Sequence, residues 1–176
     1  MILVVAKKEI NSDTGSELVF IVSDTRLTAN YTYGGLPLHW KNSVVKTSIL
    51  DVNLAVSWAG KCDVADTCLM KFNSREMKES PKEEIINFFY ESHLNALDTD
   101  EDNQGVDFIL SFGGEVTEIV EIKNRNFKRN CLTAWIGTHS AFNDFQRNIH
   151  SPSLQNLPIY TYGKSHAACR GVCRYF

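Results

Sequence analysis

KTSILDVNLAVSWAG, residues 46–60, decides how this chain is read. Two β-rich runs, residues 44–50 and 54–58, flank the turn formers Asp51-Val52-Asn53, and Gly60 closes the unit. Strand-length apolar runs around a short polar turn predict an antiparallel hairpin that stops at the glycine. The same signal recurs upstream. Residues 2–7 and the run ELVFIVS (17–23) are separated by Asn11-Ser12-Asp13-Thr14-Gly15-Ser16, a dense cluster of turn formers, and Asp24-Thr25-Arg26 ends the second run. A second hairpin is expected there. Between the two hairpins, residues 30–42 read as a loop with Gly34-Gly35, Pro37 and the aromatics Tyr31, Tyr33 and Trp40.

Downstream the period changes. Val64, Cys68, Leu69, Phe72 and Met77 fall close to helical spacing over residues 62–77. Ser80-Pro81 offers a cap and a first-turn proline, Glu83 and Glu84 suit the helix dipole, and Ile85, Ile86, Phe88, Phe89, His93 and Leu94 carry a second helix over 82–96. The acidic stretch DTDEDNQG (98–105) reads as a solvated loop, without the spacing or closing glutamate of a calcium-binding loop. Residues 106–112 and 116–122 predict two strands joined through Gly113-Gly114. The basic segment 123–130 reads as a solvated turn, 131–136 as a strand, and Gly137-Thr138-His139-Ser140 leads into a helix over 141–148. After His150 the pattern is that of a loop around Pro152 and Pro158. The first four strands are expected in one twisted antiparallel region with the first two helices packed on it.

Composition sets the outer bounds. A chain of 176 residues corresponds to a single domain, here 1–176. Its 43% hydrophobic and 22% charged residues are ordinary for a soluble globular protein. Eighteen basic against 21 acidic residues, a formal charge of −3, exclude a generic nucleic-acid coat or a basic membrane-surface protein, which need a positive field. Apolar runs stay far below the ~20 residues of a spanning helix. No basic segment precedes the apolar residues 2–5, so no signal peptide and a cytoplasmic location are expected. The five cysteines (Cys62, Cys68, Cys131, Cys169, Cys173) read as core residues or free thiols. His166, Cys169 and Cys173 would share a helix face but lack a fourth ligand, and neither a metal nor a cofactor is expected.

Several segments, in order, resemble proteasome-type subunits of the N-terminal-nucleophile hydrolase superfamily. VFIVSDTRLT (19–28) is similar to the family's second strand ending in Asp-x-Arg. KTSILDVNLAVSWAG (46–60) resembles its lysine, strand, turn, strand and closing glycine, and CDVADTCLM (62–70) its first helix. DFILSFGG (107–114) and AWIGTHSAF (134–142) resemble later strands, the last leading into a Gly-Ser-Gly helix entry. The resemblance covers about residues 1–146. It implies an α+β fold, an αββα sandwich of antiparallel sheets flanked by helices, with the C-terminal part shortened or divergent, because the family's Asp-x-x-Ser-Gly-Gly segment and last strands have no match.

In that superfamily residue one of the mature chain attacks through its hydroxyl or thiol, and its free α-amine, of pKa ~7.7–8.0, serves as the base. The resemblance places Asp24 and Lys46 beside that residue and Thr138 at the position of the family's serine, with His139 replacing the usual glycine. Met1 falls at or within one residue of the nucleophile position, and neither Met1 nor Ile2 can attack a carbonyl. The expectation is a non-catalytic proteasome-like subunit acting in assembly or partner binding, in homo- or hetero-oligomers, with Tyr31, Tyr33 and Trp40 as candidate contacts and Asp24–Lys46 as a retained buried pair. An active threonine-type peptidase or amidase is the alternative if the mature N-terminus differs. A small binding module built on Lys123, Arg125, Lys128, Arg129 and Phe127 is the other, although no phosphate loop or helix-turn-helix pattern supports nucleic-acid binding.

Overall fold

The computed structural model describes residues 3–24, 27–28, 32–33, 36–37, 40–41, 45–73, 77, 79–99, 105–114 and 116–148. Strands β1 (Leu3–Ile10) and β2 (Glu17–Ser23) form the first hairpin, in unbroken register from Val4 opposite Ser23 to Ile10 opposite Glu17. Asn11 organises its turn, its side-chain oxygen accepting the Asp13 N–H at 2.9 Å. β1 runs three residues further than the apolar pattern indicates, because pairing with β2 satisfies its backbone past Lys7.

Residues 30–42 are not simply a loop. β3 (Leu27–Thr28) pairs with β6 (Trp40–Lys41), and β4 (Thr32–Tyr33) pairs with β5 (Leu36–Pro37), as two nested two-residue ladders. Ladders this short carry no periodicity that a sequence reading could detect. Tyr31 lies outside the described residues, as do the side chains of Tyr33 and Trp40.

β7 (Thr47–Asp51) and β8 (Leu54–Gly60) follow as the second hairpin, then α1 (Cys62–Phe72) and α2 (Lys82–Thr99). α1 ends sooner than the apolar spacing suggests, at Asn73, whose N–H closes on the Leu69 carbonyl at 3.0 Å. α2 extends through Asp98 into the stretch read as an acidic loop. β9 (Val106–Phe112), β10 (Glu118–Lys123), β11 (Asn126–Lys128), β12 (Thr133–Gly137) and α3 (His139–Asn148) complete the order.

The first four long strands do not share one sheet. β1 and β2 join β12 in a three-stranded antiparallel sheet of order β12-β1-β2, whereas β7 and β8 enter a five-stranded sheet of order β11-β10-β9-β8-β7. Residue size along β8 explains the layering. Leu54, Val56 and Trp58 point one way and pack with Phe108, Leu110, Phe72, Ile86 and Phe89 under α1 and α2. The smaller Ala59 points the other way and meets Val4, Ala6, Ala134 and Ile136 of the three-stranded sheet. Along β8 the large residues face the helices, and the small Ala59 lets the sheets approach. Phe89 is fully buried, with its ring centroid 5.1 Å from Phe108 and 5.5 Å from Phe72, so it anchors the helical layer. On the far face of the smaller sheet, Trp135 stacks on Phe142 of α3 at 4.4 Å and 5°.

The basic segment is not a free solvated turn. Asn124 and Arg125 hold φ of 53° and 57° in the β10–β11 turn. α2 grips that turn: the Arg125 N–H donates to His93 Nε2 at 3.1 Å, and Tyr90 Oη donates to the Arg125 carbonyl at 3.1 Å. His93, fully buried, has Nδ1 2.7 Å from the Val106 carbonyl, which fixes its neutral tautomer with the proton on that nitrogen. Arg125 pairs with Asp98 at 2.8 Å, Arg129 with Glu83 at 2.9 Å and Glu118 at 2.7 Å, and Phe127 packs on Tyr90. Arg125, Arg129 and Phe127 thus have partners within the fold, while residues 124–126 and 128–130 stay exposed.

Candidate functional site

The residues singled out from the sequence converge where β1 begins. Lys46 lies just before β7, held by the Trp58 N–H donating to its carbonyl at 2.9 Å, and its side chain is wholly buried. Its ammonium forms an ion pair with Asp24, the residue that follows β2. Asp24 in turn accepts the Leu3 N–H on Oδ2 at 2.5 Å and donates its own N–H to the Leu3 carbonyl at 3.0 Å. Both carboxylate oxygens are thus used, one on a buried cation and one on the backbone. Lysine needs this, since an uncompensated ammonium in the interior costs several kcal/mol.

Leu3 is paired with Gly137 of β12 on its other side, and Thr138 is the next residue. Gly137 carries φ of 110°, which lets the chain leave β12 and turn into α3, and the Thr138 carbonyl accepts the Phe142 N–H at 3.2 Å. His139 therefore does not disturb the helix entry. It is the first residue of α3, with its ring 5.8 Å from Trp135. Asp24 and Gly137-Thr138 flank the first described residue of β1 from opposite sides, and Lys46 is joined to it through Asp24.

Gly60 brings in the five-stranded sheet. It pairs with Val106 at φ of 119°, and a β-carbon there would lie 2.3 Å from the Gly105 carbonyl oxygen. Only glycine fits, and the chain passes directly into α1, whose first residue is Cys62. Burial and the neighbouring Asp66 push the Cys62 thiol up, and the Lys46 charge acts on it in the opposite sense. Cys62 is thus kept as a thiol. From sequence it reads as a core cysteine; its position two residues past Gly60, in the same unit as Lys46, was the signal available. The Leu3 backbone N–H was also missed, since a main-chain donor leaves no residue signature.

The hydroxyls next to Lys46 along the sheet are occupied. Thr47 Oγ1 and Ser57 Oγ bond each other at 2.9 Å, and Ser57 is fully buried. Chemically, the arrangement fixes a positive charge and a carboxylate beside the start of β1, and the Cys62 thiol in the same unit donates to Asp66 Oδ2 at 3.7 Å. The residues before Leu3 are Ile2 and Met1, outside the described residues. His166, Cys169 and Cys173 also lie outside them.

No protein-family model matches this chain, and no curated protein matches it. Solved structures do. An Anbu (Gly-1) mutant from Hyphomicrobium sp. strain MC1 aligns with a TM-score of 0.60 at 14% identity, over 85% of this chain and 66% of that one. Eukaryotic HslV from Trypanosoma brucei aligns with a TM-score of 0.54 at 17% identity, over 90% of this chain and 82% of that one. This chain therefore spans just under two thirds of the length of the Anbu chain. Both are proteasome-like N-terminal-nucleophile hydrolase family members, and at these identities the likeness is one of architecture. The chain has the proteasome-like fold.

Proposed function

We propose that this protein is a proteasome-subunit-like, non-catalytic chain that acts in the cytoplasm through assembly or partner binding. One observation carries the reading: Asp24 is committed to Lys46 and the Leu3 N–H, while the two residues leading into Leu3 are Ile2 and Met1. N-terminal-nucleophile chemistry needs a hydroxyl or thiol and an α-amine on one residue at that place, ~3 Å from the scissile carbon. Neither a thioether nor a branched alkyl side chain supplies the attacking group. Asp24 and Lys46 then tie the start of β1 to β7, and Thr138 belongs to the entry of α3.

The buried lysine held by an aspartate favours a second reading, a hydrolase whose mature N-terminus carries the nucleophile. Intact mass and N-terminal sequencing separate the two. The direct test is incubation with fluorogenic peptide and amide substrates and with an electrophilic probe for N-terminal Thr, Ser or Cys. The expected result is no turnover and no labelling. Covalent labelling of the N-terminal residue, or turnover that Lys46→Ala abolishes in a folded variant, would establish the hydrolase instead.

A further inference from the structure

The sheet edges are protected unequally, and the difference identifies a contact surface. β11 is only three residues long and carries Asn126 and Lys128. β7 has an irregular register between Ile49 and Asp51. At β12 the outward N–H of Trp135 donates to Glu121 at 2.9 Å, and Lys123 Nζ donates to the Trp135 carbonyl at 2.9 Å while lying 3.9 Å over its ring. Short length, a break in register and side-chain capping are all ways of blocking an added strand.

β2 has none of them. It is seven residues long, apolar after Glu17, and in regular register with β1 throughout. The Asp24 N–H bond to Leu3 sets the parity of that ladder: Leu18, Phe20 and Val22 turn their backbone groups toward β1, and Val19, Ile21 and Ser23 turn theirs outward. Among the described residues no strand pairs with that side, and the Val22 side chain is 56% exposed.

We propose that β2 is a β-augmentation surface whose occupant is β2 of a second copy of this chain, paired antiparallel about a two-fold axis at Phe20. This rests on the assembly reading above and names its contact. The strand is self-complementary in this register. Val19 and Ile21′ exchange backbone hydrogen bonds, Phe20 faces Phe20′, Leu18 faces Val22′, and the single charged residue, Glu17, meets Ser23′ rather than its own copy (primes mark the second copy). Aromatic and aliphatic cross-strand pairs favour such a ladder, and a closed two-fold contact leaves no further open β2 edge. Parallel self-pairing would bring the Glu17 carboxylates together.

Sedimentation equilibrium from sub-micromolar to high micromolar concentration tests the proposal, with backbone hydrogen exchange at Val19 and Ile21. A dimer is expected, with those two amides protected only where it forms. Phe20→Cys should give a disulfide joining the two copies at the substituted position on mild oxidation, identified by peptide mass. Phe20→Lys should abolish the dimer through opposed charges, and Val22→Lys, at an exposed position, should raise its dissociation constant at least tenfold while leaving circular dichroism unchanged. A single-chain mass at every concentration would overturn the proposal. So would protection of Val19 and Ile21 in the monomer, which would assign the edge to another segment of this chain. An assembly that survives both lysine substitutions would refute the β2 contact and leave the assembly reading standing.

Discussion

Glu118 and Asp107 are carboxylates on neighbouring strands of one sheet, on opposite faces, and the protein treats them in opposite ways. Glu118, facing the helices, receives Arg129 Nε at 2.7 Å and Nη2 at 3.2 Å, and Lys82 pairs with it as well. These bonds hold its carboxyl well below the usual range, at about 2, against the effect of burial. Asp107, facing the other sheet, has His93 Nδ1 at 3.6 Å, beyond hydrogen-bond reach, and burial raises its carboxyl to about 6. Direct charge-assisted bonds hold a carboxyl low, and where they are missing burial decides. By its contacts, Asp24 belongs with Glu118: both its oxygens are bonded, one to Lys46 and one to the Leu3 N–H.

Breaking the stronger cluster gives the largest expected effect. Glu118→Ala removes the carboxylate that Arg129 and Lys82 share, leaving Arg129 its bond to Glu83, and should cost about 3 kcal/mol in urea unfolding. A cost below about 1 kcal/mol would mean that the three charges contribute little beyond their mutual compensation. Lys46→Ala comes next, at about 2–3 kcal/mol, because Asp24 loses its cation while keeping the Leu3 N–H. Amide-hydrolysis background should not change; a loss of turnover larger than the loss of folded protein would move this pair from scaffold to catalysis.

The contrast also has a pH signature. Asp107 has a raised carboxyl in the folded state, so the folded protein binds that proton more tightly and stability rises as pH falls from 7 toward 5, by about 1 kcal/mol. Glu118 acts in the other sense. Its depressed carboxyl contributes stability that is fully present above the ordinary value of 4.5 and is lost as pH falls toward 2. Their sum predicts maximal stability near pH ~4 in chemical-denaturation profiles. Asp107→Asn should flatten the alkaline limb without moving the acid one; an unchanged alkaline limb would show that another group causes it. The smallest effect is expected at the surface. Arg125→Ala removes an ion pair to Asp98 whose side chains are 55% and 60% exposed, and should cost under about 0.5 kcal/mol because the turn is held through the Arg125 backbone.

The hairpins, the central helices and the Gly60 stop were legible because each is local: alternation, turn chemistry and helical spacing lie within a few residues of one another. The β3–β6 ladders were not, since two-residue strands have no period, nor was the pairing of the exposed basic segment, because its partners come from α2 and β10. The resemblance placed Asp24, Lys46 and Thr138 in one constellation; in the fold Asp24 and Lys46 pair with each other, and Thr138 is the residue after Gly137, which pairs with Leu3. The sequence by itself determined which of the longer segments are strands and helices, and which residue types lead into Leu3. Tertiary structure alone decided that the first two hairpins separate into different sheets, that the Leu3 N–H completes the Asp24–Lys46 junction, and that Glu121 and Lys123 cap the β12 edge while, among the described residues, no strand pairs with the outer side of β2. The physical reason is that period and turn signals are set by neighbours along the chain, whereas sheet membership, ion pairing and edge protection depend on residues brought together from a hundred or more positions apart, as when the Thr117 N–H reaches Glu17.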